Sequence, residues 1–206
     1  GASGFAHVSC LAKQAKLATD EADTQNAWDK WTTCGVCKQE HHGVVACALG
    51  WASWKTYVGR PETDWARCRA TTQLGNGLNE AGRDNEALAV RKLDLAALQR
   101  LKPNDQAHIL VAQTNVANSY ATLGQLEDTL RMEREIYTGT RAVFGELHVD
   151  TFMTINNLTY SLVLLHRVEE AKRWLSEHIP RAIEALGEDQ VETLKLRMNL
   201  VDALSH

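Results

Sequence analysis

From Trp65 onward the apolar positions of the chain return with a fixed beat. Leu74, Val116, Leu158 and Leu200 stand 42 residues apart, and so do Leu78, Tyr120, Leu162 and Leu204. Polar positions keep the same beat. Gln73, Asn115, Asn157 and Asn199 fill one slot with side-chain amides; Asn76, Asn118, Tyr160 and Asp202 fill the slot three residues on. A recurrence of this length marks a solenoid or array, in which each unit buries its apolar face against the next.

Within each period the apolar residues fall at helical spacing. First helices are predicted at 65–81, 108–123, 151–166 and 192–206, and second helices at 85–101, 126–144 and 168–186. The turns between them are Gly82-Arg83, Gly124-Gln125 and His166-Arg167. Gly in the first two suits a left-handed helix cap, and with His166 in that place the third turn must accept a bulkier residue or use a different cap. Pro180 deletes a backbone hydrogen bond inside the third repeat's second helix and is expected to kink or split it. The fourth repeat has a first helix alone, which predicts an apolar face covered by further chain or by a partner.

Ahead of the array, Val44, Ala48, Trp51 and Tyr57, with Trp54 nearby, predict an aromatic-rich helix that ends at Gly59-Arg60-Pro61. Its expected role is to cap the first repeat by burying apolar area; a Trp-lined ligand pocket is the functional alternative. The segment 1–43 is different again. It carries His7-x2-Cys10 and Cys34-x2-Cys37, with Trp28 and Trp31 before the second pair. Close pairs of this kind suit tetrahedral Zn2+, because a tight turn brings both side chains to one ion. Cys34, Cys37, His42 and Cys47 also have the spacing of a zinc knuckle, although Lys38 and His41 stand where such knuckles place glycine. Cys47 and Cys68 read instead as buried thiols within helices. The division is thus 1–43, a capping helix and linker at 44–60, and the array at 61–206.

Composition narrows the functional classes. The 206 residues are 44% hydrophobic, and 22 basic against 26 acidic side chains leave a net charge of -4, without the basic field that phosphate backbones attract. Three prolines and abundant helix formers predict an all-α chain after the first forty residues. The longest apolar run, Val44 to Ala52, is too short to span a bilayer, and the first thirty residues show no signal-peptide pattern. An intracellular, cytoplasmic protein is expected, with an organelle left open should the true N-terminus lie upstream. No phosphate loop, nucleophile elbow or His-x3-His pair is present, so no catalysis is expected. His41-His42 with Glu40 reads as a surface cluster, and Glu133 with Glu135 as an outer helix face.

The helix pairs resemble tetratricopeptide repeats. Their 42-residue period, with Gly145-Glu146-Leu147-His148-Val149-Asp150-Thr151 followed by Thr154-Ile155-Asn156-Asn157-Leu158, is similar to the longer-helix variety of kinesin light chains. The resemblance covers 65–206. It implies an all-α, right-handed helical-hairpin solenoid of about three and a half repeats, lined by its first helices. Its groove would take a protein or extended peptide through Arg69, Gln73, Asn76, Asn115, Asn118, Asn156, Asn157, Tyr160 and Asn199. Amides offer both donor and acceptor, so the same ladder serves equally to bond neighbouring repeats together. Of its members, Asn76, Asn118 and Asn156 are expected to face a ligand.

The stretch Gly4-Phe5-Ala6-His7-Val8-Ser9-Cys10-Leu11, with Trp31-Thr32-Thr33-Cys34-Gly35-Val36-Cys37, resembles the second half of a RING-CH (RING-variant) zinc finger. That implies zinc, with His7 and Cys10 completing one site and Cys34 and Cys37 the other. The family's two preceding Cys pairs fall outside this sequence. Three readings follow: a piece of a longer protein, a decayed site held by packing, or four residues around one zinc. The function expected is a scaffold or adaptor. The alternatives are the substrate-recognition part of a RING-CH-type ubiquitin ligase and a structural subunit embedded in a larger complex.

Overall fold

The computed structural model describes residues 7–22 and 25–205. The Gly4-Phe5-Ala6 part of the finger-like stretch and the final His206 lie outside them. The chain divides into two compact units, Gly1–Lys102 and Pro103–His206.

The first unit holds α1 (Val8–Ala22), α2 (Gln25–Trp28), a 3-10 turn (Asp29–Trp31), α3 (Gly43–Tyr57), α4 (Trp65–Glu80) and α5 (Asp84–Leu101). The second holds α6 (Gln106–Thr122), α7 (Leu126–Phe144), α8 (Val149–Leu164), α9 (Val168–Leu186) and α10 (Val191–Ser205). Every helix read from the 42-residue beat is present, α7 and α9 with the predicted ends. Among the described residues the sole β feature is one isolated bridge, Thr33 to Glu40. No helix there is long and apolar enough to cross a membrane.

The ends of the helices follow from local chemistry. Asp64 caps α4 by accepting from the Arg67 backbone N–H at 3.0 Å, and Asp105 caps α6 through the His108 N–H at 3.4 Å. At the other end, Gly82, Gly124 and His166 all have left-handed backbones, φ 70°, 71° and 57°. The residue after each donates to a carbonyl five positions back: Arg83 to Leu78, Gln125 to Tyr120, Arg167 to Leu162. This bond closes the last turn of a helix, and it recurs whether the cap is glycine or histidine.

In the second unit α8 is the central element, packed against α7, α9 and α10. Phe152, Ile155, Leu158 and Leu162 are fully buried, against Leu130 of α7, Ala171 and Leu175 of α9, and Leu196 and Ala203 of α10. The opposite side of α10 leaves Leu194, Met198, Val201 and Leu204 exposed. Pro180 neither splits nor ends α9. Pro180 and Ser176 are both exposed, so the carbonyl that loses its helical donor is within reach of water and the helix runs on.

In the first unit α3 and α4 make the closest crossing. A Cβ on Gly77 would stand 2.6 Å from the Ala46 carbonyl oxygen, and one on Gly50 3.0 Å from that of Gln73. Only glycine permits backbones this close. The buried face of α3 is Ala46, Cys47, Leu49, Gly50, Ser53 and Tyr57, whereas Val44, expected on it, is exposed.

Helix is not confined to the array, since α1 occupies half of the segment ahead of the Cys34–Cys37 turn. That segment is held by aromatic packing. Trp28 and Trp31 are buried with Tyr57, ring centroids 5.7 Å and 6.1 Å from the tyrosine, and the Trp31 indole donates to Thr19 Oγ1 at 3.1 Å.

His166 supplies a test of the cap. Because a β-carbon in the left-handed region costs about 1–2 kcal/mol, part of which glycine returns as chain entropy, His166→Gly should stabilise the protein by about 0.5–1 kcal/mol. Urea unfolding monitored by circular dichroism, with an unchanged slope, checks it; a destabilised variant would mean that the His166 side chain contributes more than its backbone strain costs.

Candidate functional site

The predicted ladder divides into two roles. Asn156 is buried, and its amide donates to the Glu192 carbonyl at 3.1 Å and to Glu192 Oε2 at 2.9 Å. Asn199 donates to the Asn156 carbonyl at 2.9 Å and to Thr159 Oγ1 at 3.0 Å. These two amides tie α8 to α10, so Asn156, expected to face a ligand, faces the next repeat. Asn115 is half-buried and engaged within the chain. Asn118 on α6, and Asn157 and Tyr160 on α8, are exposed.

In the first unit Gln73 is buried and donates to the Trp31 carbonyl, 42 positions earlier, at 3.4 Å. Asn76 is exposed, and its amide oxygen accepts from Arg91 at 3.1 Å. Arg69 lies over the Trp28 and Trp65 rings, 5.9 Å and 5.8 Å from their centroids, and so belongs to the aromatic cluster. A hollow of about 560 Å3 has Trp51, Trp54, Leu74, Leu93 and Asp94 among its walls, where the sequence left a Trp-lined pocket open. A second, polar hollow of about 330 Å3 gathers His41, His42, Asn76, Glu80 and Arg91.

The finger-like pairs stand in two different settings. Cys10 is exposed on α1, one turn beyond His7, and Cys34 and Cys37 share the turn bridged by Thr33 and Glu40. That turn is closed by Cys34 N–H to the Gln39 carbonyl, 2.8 Å, and Lys38 N–H to the Cys34 carbonyl, 3.0 Å. Backbone N–H groups of Cys37 and Val36, and then the Cys37 side chain, lower the Cys34 thiol below its usual range by hydrogen bonding. Among the described residues no three or more His, Cys, Asp and Glu side chains gather closely enough to hold a metal ion. The turn therefore presents two thiols of the four ligands that a structural zinc needs.

One residue of the second unit departs sharply from its sequence reading. Glu133 of α7 is buried, 8% exposed, instead of lying on an outer helix face. It continues the buried stripe Thr129, Leu130, Glu133, Ile136, Thr140, and that helical spacing was the available signal. Glu133 lines a cavity of about 10 Å3 between α6 and α8, with Thr114, Ala117 and Asn118 on one side, Thr154 and Asn157 on the other, and Ile136 beside it. Oxygen Oε2 has no hydrogen-bond partner. Burial pushes the pKa up to about 7, against a smaller downward pull from the Ser161 hydroxyl.

Val111 on α6 and Met153 on α8 were also missed, because exposure cannot be read from one apolar residue in a helix. They are 60% and 44% exposed, and they stand one period apart. Val111 shares a face of α6 with Asn118, and Met153 a face of α8 with Asn157 and Tyr160, all five exposed, and Asn118 and Asn157 meet at the cavity.

The elevated Glu133 pKa has a consequence for stability. Unfolded, the carboxyl titrates near 4.5; folded, near 7. The folded state therefore holds a proton that the unfolded state has lost across this window, and stability falls as pH rises from about 4.5 to 7. The loss is at most about 3 kcal/mol. Glu133→Gln should remove this slope, and thermal melts of both proteins should diverge in the variant's favour between pH 4.5 and 8. Parallel melting curves across that range would show that Glu133 is solvated like a surface carboxylate.

Residues 109–150, one full period from α6 into α8, match the tetratricopeptide repeat family. The structure is similar to nearly identical TPR-like repeats assigned to a kinesin light chain of Podosopora anserina, with TM-score 0.68 and 15% identity over 98% of this chain and 88% of that one. A single-residue variant of those repeats gives 0.65 and 17% over the same shares. BtubC (BKLC) from P. vanneervenii gives 0.60 and 14%, over 97% of this chain and 65% of its own length. No curated protein matches the chain in sequence. The fold is thus an all-α tetratricopeptide-repeat solenoid, resembling the repeats of kinesin-light-chain-like proteins.

Proposed function

We propose that this chain is a protein–protein interaction module that holds an extended segment of a partner on the face presented by α6 and α8. The observation that carries the reading is the exposure of Val111, Asn118, Met153, Asn157 and Tyr160 on the first helices of two successive repeats. Isolated exposed apolar residues are ordinary, but these recur at matching positions of successive repeats and share their helix faces with amides. Amide groups pair with peptide backbone whatever the sequence, and the apolar residues on the same faces offer side-chain contacts. Repeat solenoids of stacked helix pairs characteristically use such continuous faces for binding.

The test is an array of tiled extended peptides probed with the full chain. The triple variant Asn118→Ala, Asn157→Ala, Tyr160→Ala should lose at least about tenfold in affinity for every peptide captured, equivalent to about 1.4 kcal/mol. All three side chains are exposed, so the fold should survive, as circular dichroism can verify. Undiminished capture by a folded triple variant would place the contact elsewhere.

Zinc at the Cys34–Cys37 turn is a separate proposal, supported by the two thiols in one turn and the backbone N–H groups directed at Cys34. Elemental analysis of protein purified without chelator should find zinc that Cys34→Ser with Cys37→Ser removes. Equal metal content in both would sever the turn from any zinc. A ubiquitin-ligase role depends on that result.

A further inference from the structure

We propose that the gap between α6 and α8 is a receptor for one primary ammonium group, the ε-ammonium of a lysine in the bound segment; this rests on the peptide-binding reading above. The gap is built as a narrow socket with an acid at its base. Glu133 lines it from α7, nine-tenths buried, and its Oε2 has no hydrogen-bond partner. Thr114 and Asn118 of α6 and Thr154 and Asn157 of α8, all polar and uncharged, line the same space. Asn118 and Asn157 are exposed, so they frame the mouth, on the face where a peptide would lie.

Size selects the occupant. A space of about 10 Å3 holds one water-sized group. An ammonium fits it; a planar guanidinium, with three nitrogens around one carbon, does not. An ammonium also brings three donors and no acceptor, the complement of a carboxylate, and the hydroxyls and side-chain amides around it can accept as well. Ala117 and Ile136 form the apolar part of the wall.

Charge points the same way. A buried carboxylate without a counter-charge is costly, and no cationic side chain lines the cavity. The polar residues that line the cavity with Glu133 are Thr114 and Asn118 from α6 and Thr154 and Asn157 from α8, and Ser161 of α8 hydrogen-bonds its carboxyl; all are uncharged. On α7 itself, Glu135 is exposed, and Arg134 is exposed and paired with Glu170. An incoming ammonium therefore meets the Glu133 charge unshared. Since it binds the ionised carboxylate, its affinity should rise by about tenfold per pH unit up to about pH 7 and then level off.

The experiment is a titration of the full, isotope-labelled chain at pH 8 with methylammonium chloride, followed by NMR, alongside tetramethylammonium chloride. Methylammonium should shift the amide signals of Asn118, Asn157 and Ser161 and pull the Glu133 carboxyl pKa below 7, while tetramethylammonium, too large for the socket, leaves them unchanged. In parallel, captured lysine-containing peptides are compared with their acetyl-lysine forms on wild type and Glu133→Gln. Acetylation should weaken wild-type binding at least about tenfold and leave Glu133→Gln binding unaffected. No methylammonium shift at the socket, or equal acetylation effects in both proteins, overturns the inference. Peptides that bind well yet ignore acetylation overturn it while leaving the peptide-binding reading intact. Methylammonium shifts that require Glu133, with no peptide captured, uphold the ammonium socket and defeat that reading.

Discussion

The second unit depends on the burial of one face of α8. Phe152, Ile155, Leu158 and Leu162 reach zero exposure only because α7, α9 and α10 close around them at once. Each such side chain contributes roughly 1.5–3 kcal/mol when removed from water, and none of the helices offers a comparable partner on its own. Stacking is thus a requirement of the sequence, and the 42-residue beat is its register. Because the leucines occupy the core-facing positions, the polar positions between them are left with two destinations: the seam to the next repeat, or solvent.

That division governs the site. Side-chain amides recur at one slot, yet Asn199 reaches back to the Asn156 carbonyl and Thr159, whereas Asn157 stands in the open beside a cavity. Identical chemistry serves cohesion in one place and presents itself to a partner in the other. The difference arises from which helix comes next in the stack: α8 and α10 approach closely enough for direct hydrogen bonds, while α6 and α8 leave room for a water-sized group with Glu133 behind it. A carboxyl caught at such a gap loses hydration without gaining a partner, and its raised pKa is the electrostatic expression of that position.

The first unit is held by other means. Its helices α3 and α4 cross at glycines, Gly50 and Gly77, where backbone meets backbone, and aromatic rings fill the space beyond. Gln73 is drawn into this arrangement by the Trp31 carbonyl, and Arg69 by the Trp28 and Trp65 rings. Both residues share the repeat's spacing, but their neighbours are those of the segment ahead of the array, so their side chains serve packing.

The sequence by itself determined the repeat length, the helices and most of their ends, because apolar spacing and turn glycines act locally and survive without knowledge of neighbours. It aligned His166 with the cap glycines by its place in the repeat, leaving the structure to show the same left-handed cap there, and it named the residues Asn118, Asn157 and Tyr160 that stand exposed on α6 and α8. Only the tertiary structure decided that α9 runs through Pro180, since that depends on whether solvent reaches the freed carbonyl at Ser176. Only the tertiary structure separated Asn156 from Asn157, adjacent in the chain and opposite in exposure, and showed Glu133 to be buried. Spacing along one helix can mark the face that Glu133 shares with Leu130 and Ile136, but it carries no record of how near the next helix comes, and that distance decides burial.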